Sequence, residues 1–143
     1  MPTRKAQAHW EGNLTEGKGE MSTESSHLQA AYSFPSRFES GPGTNPEELI
    51  GAALAGCFSM ALANALSEAG FTPTSIDTQA GVEIRATKEG FRIPSIELMT
   101  HAVVPEVSAA TFEELAHATK EECPVSRALT GTEIRLTTHL SRS

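Results

Sequence analysis

Basic side chains are scarce in this chain: 11 Lys and Arg stand against 18 Asp and Glu, for a formal net charge of −7. No window is rich in Lys or Arg. The chain therefore lacks the basic face with which a nucleic-acid binder neutralises phosphates, and anionic lipid is an equally poor partner. The first residues, Met1-Pro2-Thr3-Arg4-Lys5-Ala6, hold no apolar stretch of the signal-peptide kind. A cytoplasmic location with no membrane partner is the expectation. Cysteine is limited to two residues. Two thiols fall short of a four-ligand structural zinc site. The histidines, His9, His27, His101, His117 and His139, show no ligand spacing, so no metal is expected. In the cytoplasm a permanent disulfide is disfavoured, and a transient one is usually catalytic or redox-sensing. The length, 143 residues, fits one compact domain over 1–143.

What is present reads as α+β. Lys5 to Glu11 alternates, with Ala6, Ala8 and Trp10 on one side, as a half-buried strand does. Gly12-Asn13 turns it, and a Gly-rich return strand runs from Gly17 toward Ser25. Tyr32, Phe34 and Phe38 suggest a third strand or extended loop interrupted by Pro35. After the turn-rich Ser40 to Pro46, a long helix begins. Asn45 or Thr44 supplies its cap, Pro46 suits its first position, and Glu47 and Glu48 favour its dipole. It runs to about Glu68 or Ala69, where Gly70 stops it. From Leu49 to Leu66 it is apolar almost all round, yet it reads as short for a bilayer span. A helix apolar on every side must be buried on every side. A chain of this size has trouble covering it alone, so a homodimer is expected.

Ile76, Thr78, Ala80, Val82 and Ile84 alternate as a strand. Lys88-Glu89-Gly90 turns into a second, with Ile96, Leu98, Ala102 and Val104 on one face and Pro94 marking either a bulge or the strand start. Phe112, Leu115, Ala116 and Thr119 give a helical face, capped at Thr111 or earlier at Ser108. Pro124 ends that helix or opens a short one, and Thr132 to Leu140 alternates again. This order predicts a mostly antiparallel sheet, with the shorter helices flanking Cys123.

The two cysteines sit in opposite settings. Cys57 lies in the most apolar stretch of the chain, where periodicity alone favours an inert core thiol with a raised pKa. A reactive Cys57 would need a cation brought to it by another part of the fold. Cys123 precedes Pro124, so it either terminates one helix or caps the next. In the second case it faces the positive end of a helix dipole and tends toward thiolate. Arg37 stands among Phe34, Pro35 and Phe38. Composition alone favours a solvated arginine, but a semi-buried guanidinium would need a carboxylate. Glu47 and Glu48 are the nearest plausible partners, with Glu39 a rival.

Taken in order, Ala8-His9-Trp10-Glu11-Gly12, Gly43 through Ala53, Ala55-Gly56-Cys57-Phe58-Ser59-Met60-Ala61-Leu62, Glu68 through Thr78, and Cys123-Pro124-Val125-Ser126 resemble the OsmC/Ohr family. The closest likeness is to its OsmC branch, the osmotically inducible hydroperoxide peroxidases. The resemblance implies an intertwined α+β homodimer that reduces organic hydroperoxides, and hydrogen peroxide less well, without metal, haem, flavin or other cofactor. It implies Cys57 as the peroxide-attacking cysteine and Cys123 as the resolving one. By context it implies Arg37 as the activating arginine, with Glu47, or Glu48 beside it, as that arginine's carboxylate. A dithiol reductant, with a lipoyl-bearing protein as a source, is implied as the electron donor. Glu47 and Cys57 lie ten positions apart on one helix, roughly 15 Å along its axis. Glu47 is therefore expected to act on the Cys57 of the other subunit. The alternative reading is a redox-sensing module that holds a hydrophobic ligand at the dimer interface without turnover.

Overall fold

The computed structural model describes residues 1–143. Contacts divide the chain into two units, Met1–Leu49 and Ile50–Ser143. The first opens with a three-stranded antiparallel sheet of β1 (Ala6–Glu11), β2 (Lys18–Thr23) and β3 (Gln29–Tyr32), in that order. Its register places Trp10 opposite Gly19 and Gly19 opposite Tyr32. The Trp10 and Tyr32 rings lie 5.3 Å apart across that glycine. A Cβ at Gly19 would come within 2.6 Å of both rings, so only glycine lets them meet. The expected half-burial of β1 is not found: Ala6 and Ala8 are exposed, and only Trp10 is partly covered. Alternation reports which side chains share a face, not whether anything lies on that face.

The stretch after β3 differs from its sequence reading. Residues Phe34–Phe38 form a short helix, α1, where a strand or extended loop was expected. Ser33 caps it: its hydroxyl accepts from the Ser36 backbone N–H, and Ser36 Oγ accepts from the Ser33 N–H at 2.8 Å. Pro35 fits the first turn, whose N–H groups lack helical partners. Five residues are too few to show a helical period.

Helix α2 (Pro46–Glu68) begins as expected. Asn45 Oδ1 accepts from the Glu48 N–H at 2.8 Å, which assigns the cap to Asn45 over Thr44. Thr44 instead donates its hydroxyl to Glu48 Oε1 at 2.6 Å. The helix ends with Gly70 at φ +94°. There the Phe71 N–H bonds the Leu66 carbonyl and the Gly70 N–H bonds the Ser67 carbonyl, a Schellman stop.

The second unit holds a sheet in the order β4 (Ser75–Val82), β7 (Ser95–Val103), β8 (Glu133–Ser141). β4 and β7 pair antiparallel, whereas β7 and β8 pair parallel. That parallel pair needs a crossover, supplied by α3 (Ala109–Glu122) and α4 (Pro124–Ala128). Residues Arg85–Thr87 (β5) and Gly90–Arg92 (β6) form a separate small hairpin. Pro94 directly precedes β7, which settles it as the strand start. Ser108 caps α3 through the Thr111 N–H at 3.1 Å, one turn ahead of the rival Thr111 position.

The core of this unit gathers Leu54, Phe58, Leu62 and Leu66 of α2 with Ile96, Leu98 and Ala102 of β7 and Phe112, Ala116 and Cys123. On α2 the buried positions recur every three or four residues, as one helical stripe. Ala52, Ala53, Gly56 and Met60 remain exposed, Met60 at 78%. Burial on every side is thus not reached within one protomer. The span reading is also corrected: the 23 residues of α2 are long and apolar enough to cross a membrane by length and composition.

Candidate active site

The two thiols, 66 positions apart in sequence, meet: Cys123 Sγ lies 2.7 Å from Cys57 Sγ, and both cysteines are free. Cys57 is carried by the fourth turn of α2, on the edge of its buried stripe, and is partly exposed. Cys123 is 1% exposed and sits at the joint of α3 and α4, C-cap of one and N-cap of the other. Both alternatives drawn from Pro124 therefore hold at once. The proline forces the joint, since it opens α4 and contributes no N–H of its own.

The environment treats the two sulfurs differently. Burial pushes the Cys57 thiol up, and its hydrogen bond with Cys123 pushes it further, against a weaker opposing contact from the Val125 backbone N–H. Burial also pushes Cys123 up. There the hydrogen bond with Cys57 and the nearby polar groups of Ser126 and Val125 outweigh it, leaving the thiol below its ordinary value. Of the two thiols, Cys123 is thus the one that ionises more readily in the single protomer. Exposure runs the other way: a solute reaches Cys57 before it reaches Cys123.

Within the first unit, Arg37 and Glu47 form a built ion pair. Arg37 Nε donates to Glu47 Oε1 at 3.0 Å, and Nη2 approaches the same oxygen at 3.0 Å. Glu47 is 5% exposed, and its Oε2 is buried without a partner. The loop between α1 and α2 sets this geometry. Ser36 Oγ donates to the Thr44 carbonyl at 2.7 Å, and Asn45 Nδ2 donates to the Ser36 carbonyl at 3.1 Å. Both bonds tie the turn of α1 that bears Arg37 to the start of α2 that bears Glu47. Arg37 also lies over the Phe38 ring, 5.4 Å from its centroid. Glu48, the other candidate partner, faces Thr44 and serves the helix start. The rival Glu39 forms no ion pair with Arg37. No three His, Cys, Asp or Glu side chains converge as metal ligands.

Val125 and Ser126 were not singled out by spacing, yet their backbone groups lower the thiol pKa values from the first turn of α4. The signal for them was Pro124, because a helix opened by proline presents its next free N–H groups to whatever precedes it.

Residues 39–139 match the family of OsmC-like proteins. The chain belongs to this family. Among OsmC-like relatives, Peroxiredoxin OsmC of Escherichia coli (strain K12) is 54% identical over 127 residues, covering 88% of this chain and 89% of that protein. An organic hydroperoxide resistance protein OsmC from Legionella pneumophila has a solved structure that superposes with a TM-score of 0.76 at 25% identity, covering 97% of this chain and 98% of that one. A second solved structure, an organic hydroperoxide resistance protein from Elizabethkingia anophelis with thiocyanate bound, superposes at 0.75 and 25% identity over 99% and 98% of the two chains. The resemblance read from the two cysteine motifs and the Asn45-Pro46-Glu47-Glu48 segment is thus to the family that contains this OsmC-like chain.

Proposed function

We infer that this protein is a cysteine-based peroxidase that reduces organic hydroperoxides, and hydrogen peroxide less well, at the expense of a dithiol. The observation that carries this reading is the 2.7 Å approach of Cys57 and Cys123. Peroxiredoxin OsmC and the organic hydroperoxide resistance proteins support the choice of substrate.

Cys57 is the attacking sulfur because it is the accessible one. Its thiolate displaces alkoxide from the O–O bond, and the alkoxide takes up a proton and leaves as an alcohol. Cys57 is left as a sulfenic acid. The Cys123 thiolate attacks that sulfur, expelling water once the hydroxide is protonated, and a Cys57–Cys123 disulfide forms before further oxidation. An incoming dithiol opens the disulfide through a mixed disulfide, leaves in its own oxidised form and restores both thiols. A reducing compartment such as the cytoplasm suits that last step, and a lipoyl-bearing protein supplies a dithiol of the right kind.

Within one protomer Cys57 is the thiol that is harder to ionise. A cation must reverse that preference, and Arg37 is the candidate, held by Glu47. Glu47 and Cys57 lie on α2 ten positions apart, roughly 15 Å along the axis at about 1.5 Å per residue. In this reading the guanidinium therefore serves the Cys57 of a second subunit. Two α2 helices packed antiparallel in a homodimer would bring it there. They would also cover Ala52, Ala53, Gly56 and Met60, which lie exposed beside Cys57. The apolar surroundings that such packing gives Cys57 favour an alkyl hydroperoxide over a fully hydrated peroxide.

The test is steady-state consumption of several hydroperoxides with dihydrolipoamide as donor. Many equivalents should be consumed per subunit, alkyl hydroperoxides faster than hydrogen peroxide. Consumption that stops at one equivalent per subunit, with donor still in excess, would instead establish a redox sensor.

A further inference from the structure

Ser126 Oγ is buried and has no hydrogen-bond partner. The residue is 7% exposed and lies in the first turn of α4, three residues after Cys123, the N-cap of that helix, so the two side chains share one face of the turn. A buried hydroxyl left unpaired is destabilising, and replacing it with a methyl group would remove that penalty. The hydroxyl sits next to one of the two reacting sulfurs. Both its backbone N–H and its side chain hold the Cys123 thiol below its ordinary value, while no such side-chain contact acts on Cys57.

We propose that Ser126 is a positioning residue for the Cys123 sulfur, its hydroxyl donating a hydrogen bond to the thiolate released when the Cys57–Cys123 disulfide is reduced. This rests on the peroxidase reading above. The donor thiolate attacks Cys57 Sγ, the more accessible sulfur. The S–S bond breaks and its electron pair goes to Cys123, which leaves as thiolate while Cys57 is held in a mixed disulfide with the donor. The donor's second thiolate then attacks its own sulfur in that mixed disulfide and frees Cys57. The donor is oxidised to its cyclic disulfide, and both protein sulfurs are reduced. A better-stabilised leaving thiolate speeds the first of these exchanges. The same contact keeps Cys123 poised as a nucleophile toward the sulfenic acid in the preceding step. In the single turn of α4, Ser126 is thus assigned to the resetting half of the cycle, apart from peroxide attack.

The experiment compares wild type, Ser126→Ala and Ser126→Thr. The peroxide-oxidised proteins are mixed with dihydrolipoamide, and disulfide opening is followed by stopped flow. Separately, alkylation of Cys123 by iodoacetamide is measured against pH in a Cys57→Ser background, which isolates one thiol and needs no peroxidase activity. Ser126→Ala should slow disulfide opening by roughly three- to tenfold, the scale of one hydrogen bond. It should also move the alkylation profile to higher pH and leave the first oxidation of Cys57 unchanged. Ser126→Thr, which keeps the hydroxyl, should recover the wild-type profile. An unchanged alkylation profile in Ser126→Ala, with higher thermal stability, would show a plain buried hydroxyl and overturn the assignment. That outcome is independent of whether the protein turns over peroxide.

Discussion

Cys57→Ser is expected to abolish hydroperoxide reduction, with a loss on the order of a thousandfold or more, as removal of a nucleophile produces. A serine hydroxyl at that position stays protonated across the working pH range and cannot attack the O–O bond. Cys123→Ser should separate the two halves of the cycle. The first equivalent of hydroperoxide still oxidises Cys57, because attack does not consume the second sulfur. Without Cys123 no intrachain disulfide protects the sulfenic acid, so it progresses to sulfinic acid under excess peroxide. Activity should then decay within a few turnovers. Intact-mass spectrometry should find one added oxygen and then two on this variant, whereas the wild type loses two hydrogens. Wild-type steady-state rates in Cys57→Ser would remove the basis of the peroxidase reading.

The second large effect concerns Glu47. The carboxylate is almost fully buried, and both contacts to Arg37 fall on one oxygen. Glu47→Ala frees the guanidinium to reorient in solvent, and misplacement of an activating group by about 1 Å costs around a hundredfold. The informative form is a hybrid dimer, co-expressed with Cys57→Ser on one chain and Glu47→Ala on the other. If Glu47 acts across the interface, one of the two sites is complete and activity returns to as much as half of wild type. If it acts within its own chain, neither site is complete and the hybrid stays as inactive as its parents. Circular dichroism of the Glu47→Ala homodimer comes first, because the deletion touches a buried ion pair beside the α2 cap.

Much of the second unit was legible from the chain. β4, β7 and β8 alternate cleanly because one face of each lies on the core and the other on solvent. The ends of α2 follow from Asn45, Pro46 and Gly70, whose side chains or lack of one fix local backbone geometry. The parallel pairing of β7 with β8 was not legible, since a strand's own alternation is the same whichever way its neighbour runs. α1 was missed because Phe34 and Phe38 suit either a strand or a helix, and the capping by Ser33 decides between them. The exposure of β1, and of one side of α2, could not be read from apolar pattern, which records affinity for cover and not its source.

At the site, the cysteine motifs pointed to both sulfurs, but spacing alone left Cys57 closer to an inert core residue. The contact with Cys123 depends on α2, α3 and the Pro124 joint at once. The choice of Glu47 over Glu48 was likewise a matter of tertiary structure: the two are adjacent on α2, and only the Ser36–Thr44 and Asn45–Ser36 bonds turn Arg37 toward the first. The lower thiol pKa at Cys123 follows first from its contact with Cys57, which only the tertiary fold supplies, and then from the first turn of α4, which the sequence places only once Pro124 is known to open a helix.

The central claim is that Cys57 and Cys123 act together as one dithiol centre. Peptide mapping by mass spectrometry, on protein treated with one equivalent of an alkyl hydroperoxide, alkylated and digested without reduction, tests it most directly. The sulfurs at 2.7 Å should yield a single cross-linked peptide pair, Cys57 with Cys123 of the same chain, in close to stoichiometric amount. Two thiols recovered fully alkylated, or bridges found only between the Cys57 residues of two chains, would contradict it.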